Sequence, residues 1–151
     1  MEKKKMPIGC DEAAYELKEV LKAYLEDKGY EVLDYGVQEG EKILYPDVAF
    51  KVAEDVAKEG YDRGILLCGT GLGVCMSANK VRGVRAAVIH DPYSAERSRK
   101  SNNAQIACFG ARIIGAELAK NLLDIWLDSE FQGGRSLPKV DRMIAYDKTQ
   151  K

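Results

Sequence analysis

Residues 63–80 read Arg-Gly-Ile-Leu-Leu-Cys-Gly-Thr-Gly-Leu-Gly-Val-Cys-Met-Ser-Ala-Asn-Lys, and their order decides the fold. Arg63–Cys68 is a short apolar run without polar alternation, which reads as a strand buried on both faces. Gly69, Gly71 and Gly73 alternate directly after it, and Val74–Lys80 continues in a helical pattern. Strand, glycine loop and helix in that order form one unit of a parallel α/β protein. A loop of this kind turns backbone N–H groups inward beside a helix start, which makes an anion site.

Four further runs extend the pattern in both directions. Met6–Cys10, Tyr30–Tyr35, Val84–Ile89 and Gln105–Phe109 are short, apolar or β-branched, and bounded by Gly, Asp or Asn. Between them, Leu17, Val20, Leu21, Tyr24 and Leu25 recur at helical spacing, as do Ala49, Val52, Ala53 and Val56. Tyr93–Lys100 and Ala116–Leu127 complete the helices, the latter with Leu118, Leu122, Ile125 and Trp126 on a core or interface stripe. Gly29 and Gly60 stand just past two helices, where a left-handed cap favours glycine. The expected fold is a three-layer α/β/α sandwich around a five-stranded parallel sheet of Rossmann-like topology, with an appended C-terminal helix. Residues 1–151 are expected to form a single domain, and segment 133–151 has too little to bury alone, so it is expected to dock on a partner subunit.

The 151 residues carry 23 Lys+Arg against 24 Asp+Glu, so no global field draws the chain to nucleic acid or to an anionic membrane. No apolar stretch approaches the roughly 18 residues that span a bilayer, and the run after Lys5 is too short for a signal-peptide core. Four cysteines without a C-x-x-C pair, and one histidine, leave neither a disulfide framework nor a zinc pattern. The expectation is a cytoplasmic enzyme or binding domain with no nucleic acid, membrane or metal partner.

Ligands of open α/β sheets sit outside the carboxyl ends of the strands. The segments to weigh are therefore Asp11-Glu12, Cys68 to Gly73, His90-Asp91 and Gly110 to Arg112. The glycine spacing is G-x-G-x-G after the third strand, not the dinucleotide G-x-G-x-x-G, and G-x-x-x-x-G-K-[ST] is absent. Cys68 at the mouth of an amide-rich loop is expected to be acidified. A thiolate there can act as nucleophile or as carbon-acid base, and proton abstraction beside a carbonyl is the more economical of the two.

Gly9-Cys10-Asp11, Cys68–Gly73, Ser77–Lys80, Gly83–Ala87, Pro92–Ala95, Asn102-Asn103, Phe109-Gly110, Arg112 and Phe131–Arg135 together resemble ribose-5-phosphate isomerase B and the related galactose-6-phosphate isomerase subunits. The resemblance runs from about residue 6 to residue 145. It implies an aldose–ketose isomerase of phosphorylated sugars, working without metal or other cofactor. It also implies a homodimer or homotetramer whose sites are shared between subunits. Cys68 matches the base that moves a proton between carbons 1 and 2 through an enediolate. Thr70 joins it as a catalytic group, and Gly69, Gly71 and Gly73 complete the loop whose amides hold the enediolate oxygens. Some members place a Glu base at the position of Val74, which is apolar here, so Cys68 keeps the role. Asp11 and Asn102 match sugar-hydroxyl contacts. Arg112, Arg135 and, by substitution, Lys139 match a phosphate clamp.

Three departures stand out: Glu12, Ser101 and Ser136 occupy positions where ribose-phosphate members carry histidine. The histidine at 101 is the one associated with opening a furanose ring, and serine cannot supply a group that titrates near neutral pH. A four-carbon sugar 4-phosphate has its distal oxygen esterified and cannot close a furanose. Cys68–Lys80 and Ser101–Ile106 are also similar to the branch acting on D-erythrulose 4-phosphate. The expected reaction is therefore D-erythrulose 4-phosphate to D-erythrose 4-phosphate, followed by the ribose 5-phosphate reaction. A non-catalytic phosphosugar-binding or partner-dependent subunit is the alternative. Glu12 either binds a terminal hydroxyl or caps the first helix. His90 reads as a helix-start residue without a catalytic role in preference to a group supporting the site from behind, and Cys75 as packing. Tyr45-Pro46-Asp47 reads as a helix start, in a loop that the resemblance places near the active site, and Arg97 and Arg99 as solvated or interfacial charges.

Overall fold

Strands and helices alternate along the computed structural model, which describes residues 2–150. The strands are β1 (Lys5–Cys10), β2 (Glu31–Asp34), β3 (Gly64–Cys68), β4 (Ala86–Val88) and β5 (Ile106–Gly110). The helices are α1 (Tyr15–Asp27), α2 (Tyr45–Glu59), α3 (Leu72–Ala78), α4 (Pro92–Lys100), α5 (Ala116–Leu127) and α6 (Leu137–Asp147). All strand pairs are parallel, in the order β2-β1-β3-β5-β4. This is the α/β sandwich that the strand–loop–helix pattern predicts. The chain steps from β1 to β2 on one side and then to β3 on the other, so a crevice opens between the carboxyl ends of β1 and β3.

Alternate residues of each strand serve opposite cores, as the pleat requires. Ile8, Cys10, Ile65, Leu67, Ala107 and Phe109 pack with Leu21 and Leu25 of α1 and Leu122 and Trp126 of α5. Leu66, Cys68, Ile106 and Cys108 pack on the other face with Val48 and Val52 of α2 and Val74 of α3. Gly9 lets α2 come this close: a Cβ there would lie 2.6 Å from the Val48 Cγ2.

Loop chemistry decides the element ends. Pro46 stands in the first turn of α2, and Gly60 closes that helix at φ 69°. Gly71, at φ 78°, starts α3 two residues earlier than the apolar pattern indicates. The exposed edge of β4 is closed by a side chain. Ala86 N–H donates to Asn79 Oδ1 at 2.8 Å and Asn79 Nδ2 donates to Ala86 O at 2.9 Å, so one amide group stands in for a sixth strand.

Arg99 corrects the sequence expectation of a solvated or interfacial charge. It is 4% exposed and donates to Ala104 O at 2.9 Å, because the chain folds back from α4 into β5 around it. Arg63, at the amino end of β3, is buried as well and donates to the carbonyls of Trp126 in the last turn of α5 and of Ser129 just past it. The guanidinium thereby joins the amino end of β3 to the C-terminal end of α5, where a cation is favoured. The C-terminal segment is tied to the same end of the sheet by Gln132 N–H to Lys100 O at 3.1 Å and by Gly83 N–H to Asp147. α6 buries Val140 and leaves Leu137, Met143 and Tyr146 exposed.

Candidate active site

Because the strands are parallel, Asp11, Cys68 and Gly110 all emerge at one end of the sheet. Cys68 is the register partner of Gly110 across β3 and β5, and Asp11 N–H donates to Leu67 O at 3.3 Å across β1 and β3. The glycine loop then turns tightly against the end of β5. Ala111 N–H donates to Cys68 O at 2.9 Å and Arg112 N–H to Gly69 O at 2.9 Å. A Cβ on Gly110 would lie 2.5 Å from Thr70 O, and one on Gly71 would lie 2.9 Å from Phe109 C. These contacts leave room only for glycine at both positions.

The loop aims a backbone donor at the cysteine. Gly71 N–H donates to Cys68 Sγ at 3.2 Å, in a setting where the thiol is 5% exposed. Leu72 N–H donates to Thr70 Oγ1 at 3.2 Å, which fixes the hydroxyl at the start of α3. Arg112 lies over the loop: a Cβ on Gly69 would meet its Nη1 at 3.1 Å. The other cysteines are packing groups. Burial pushes the Cys10 thiol up to about 11 and the Cys108 thiol well above its ordinary range. Cys75 is held below its ordinary value by the Cys108 thiol beside it, and its Sγ also contacts Ala86 O at 3.4 Å.

Asp11 accepts from Ala13 N–H at 3.1 Å through Oδ1, so it is Asp11 that caps the turn leading into α1. Oδ2 has no hydrogen-bond partner among the described residues. Burial and the neighbouring Glu12 hold the Asp11 carboxyl above its ordinary range, against the pull of Ala13, Ala14 and Arg112. Glu12 does not cap the helix. Its Oε1 accepts from Ile43 N–H at 3.1 Å and thereby pins the loop between β2 and α2.

Asn102, Arg135 and Lys139 are not brought to this cluster. Asn102 precedes β5, with its N–H on Arg97 O at 3.1 Å, so it lies at the amino end of the sheet. The five residues of β5 separate it from Cys68 by roughly 15 Å at about 3.3 Å per residue. Arg135 and Lys139 belong to the segment tied to that same end, are exposed, and make no hydrogen bond or ion pair among the described residues. One copy thus carries Cys68, its glycine loop, Asp11 and Arg112 at the carboxyl ends of its strands and a second polar cluster at the amino ends.

Two further residues contact the loop, and their particular partners are not read from local spacing. The Tyr45 ring packs across Gly73, where a Cβ would come within 2.4 Å of it. His90, just past β4, accepts from Gly110 N–H through Nε2 at 2.8 Å. Proximity of α2 and of β4 to the loop is a property of the assembled sheet, and no local spacing encodes it.

This geometry has a counterpart in known proteins: a sequence model described as ribose/galactose isomerase matches residues 6–143. The chain belongs to that family. It is similar to the ribose-5-P isomerase B of Listeria innocua, 57% identical over 95% of this chain and 97% of that protein. It is also similar to the D-erythrulose-4-phosphate isomerase of Pectobacterium atrosepticum, 52% identical over 95% of each chain. The solved ribose-5-phosphate isomerase B of Clostridium thermocellum superposes with a TM-score of 0.93 at 45% identity, covering 96% of this chain and 98% of that one. Sugar-phosphate isomerisation is the activity these ribose/galactose isomerase relatives are named for, and at that level it is the activity of this chain.

Proposed function

We propose that the chain interconverts D-erythrulose 4-phosphate and D-erythrose 4-phosphate through an enediolate, with Cys68 as base. Cys68 takes the proton from the carbon beside the carbonyl and returns it to the neighbouring carbon. The Gly69–Gly73 loop holds the oxygen charge that develops between the two transfers. Asp11 Oδ2 orients a hydroxyl. The observation that carries the substrate is Ser101, which supplies no group titrating near neutral pH for opening a furanose. His90, the one histidine of the chain, is committed to Gly110. An open-chain tetrose phosphate needs neither.

The phosphate clamp and Asn102 come to Cys68 from a second copy. Two chains related by a two-fold axis place the carboxyl ends of one sheet against the amino ends of the other. Arg112 then meets Asn102, Arg135 and Lys139 of the partner subunit around one substrate. Exposed apolar residues at both ends, Leu72 and Met76 on α3 and Leu137 and Met143 on α6, suit such an interface. The reading is of a homodimer, or of a tetramer built from such pairs, acting on a small phosphorylated sugar in the cytoplasm.

Ribose 5-phosphate is the second reading, favoured by the name of the Listeria innocua relative. Turnover of both sugar phosphates by the purified protein separates the two. A kcat/KM at least about tenfold higher on D-erythrulose 4-phosphate, roughly 1.4 kcal/mol of transition-state preference, is expected. A preference for D-ribose 5-phosphate contradicts the role given to Ser101. Turnover of neither favours a non-catalytic phosphosugar-binding or partner-dependent subunit.

A further inference from the structure

His90 stands outside the chemistry described so far, yet it holds the strand end on which the Cys68 loop is built. Its Nε2 accepts the Gly110 N–H at 2.8 Å. An imidazole that accepts at Nε2 is neutral and carries its proton on Nδ1. Gly110 is in turn the surface against which the loop closes. Thr70 O is the atom that a Gly110 Cβ would strike, Gly71 packs on Phe109 C and Gly110 N, and Cys68 pairs in register with Gly110. The loop is then bolted down by Ala111 N–H on Cys68 O and Arg112 N–H on Gly69 O. Protonation of Nε2 would set two N–H donors face to face across that bond, and the end of β5 could not stay where it is.

We propose that His90 is a positioning residue for the isomerisation: as a neutral acceptor it seats Gly110, and through Gly110 the Cys68–Gly71 loop, and its protonation unseats them. The proposal rests on the isomerase reading for its catalytic half and on the hydrogen bond alone for its structural half. Asp91 is the charged neighbour on the histidine's own segment. Its carboxylate is turned to Ser94 N–H at 2.8 Å as the cap of α4. On the segments packed around Gly110, the ionisable groups are Cys68 at the end of β3 and Arg112 after β5. Burial holds the imidazole below its ordinary value against the opposing pull of Asp91, so the neutral acceptor is the form present at neutral pH. The unfolded chain takes up this proton first as pH falls. Stability is therefore complete above the ordinary histidine value of about 6.5 and declines below it, until the folded imidazole titrates too.

The test compares the parent with His90→Gln, whose amide oxygen accepts from Gly110 N–H but takes up no proton, and with His90→Ala, which offers no acceptor. The His90→Gln variant is expected to retain kcat/KM at pH 7.5 within about threefold, while His90→Ala loses about tenfold or more, mostly in kcat. Between pH 8 and 5 the parent's acid limb is expected to carry one more proton than that of His90→Gln, since the two proteins differ in no other ionisable group. A second reading needs no turnover: the Gly110 amide resonance of 15N-labelled parent shifts with a midpoint below about pH 6.5 and stays fixed in His90→Gln. Identical acid limbs, a Gly110 amide that does not titrate in the parent, or full activity of His90→Ala would each overturn the proposal. A parent that turns over no sugar phosphate while its Gly110 amide titrates would overturn the isomerase reading and the catalytic half with it, leaving the hydrogen bond established.

Discussion

Gly71 carries more of the site than any side chain but Cys68. It sits at φ 78°, gives its N–H to Cys68 Sγ, and has no room for a Cβ beside Phe109 and Gly110. Gly71→Ala is expected to cost about 1–3 kcal/mol from strain and collision. That is a fall in Tm of about 3–10 °C for a chain of this size, accompanied by loss of kcat as the donor leaves the sulfur. Gly29→Ala is the control, because Gly29 also has a positive φ, of 97°, but meets nothing within 4 Å. Equal losses in the two variants, with kcat retained in Gly71→Ala, would contradict this role. The importance of the glycines is legible from their spacing after an apolar run. The family resemblance places the Tyr45 loop near the site, but the particular contacts of Tyr45 with Gly73 and of His90 with Gly110 are not legible, because they join segments that meet only when the sheet forms.

The elements were written in the apolar pattern, and their ends in the turn residues. All five strands fall where runs of Ile, Leu, Val and Ala predict them. The predicted Val84–Ile89 shortens to Ala86–Val88, because Gly83 at φ 87° and the Val84 N–H on Val81 O make a turn before the strand begins. Burial of Arg99 escaped a reading based on local polarity, since its carbonyl partner at Ala104 lies beyond the helix that carries it. Asn79 belongs to the same class of long-range feature. Asn79→Ala removes both hydrogen bonds to the β4 edge, and the expected loss is about 1–2 kcal/mol in urea unfolding. A concentration-dependent rise in light scattering should follow as the edge becomes free to pair. An unchanged unfolding midpoint and unchanged scattering would show that the edge needs no cover.

At the scale of the whole molecule, the sequence motifs that resemble one active site separate into two groups. Asp11, Cys68, the glycine loop and Arg112 gather at the carboxyl ends of the strands. Asn102, Arg135 and Lys139 belong to the amino ends, beyond the length of β5. The division follows from parallel topology, in which a loop before a strand and a loop after it can never meet in one copy. Complementation between two impaired variants tests directly whether two copies complete one isomerase site. Cys68→Ala and Arg135→Ala are each expected to lose at least about a thousandfold and about tenfold in kcat/KM, respectively. When the differently tagged chains are co-expressed, the isolated mixed dimer holds one site with both substitutions and one with neither. It should recover about half the activity of the parent per dimer. A mixed dimer no more active than the Arg135→Ala parent dimer would contradict the shared site.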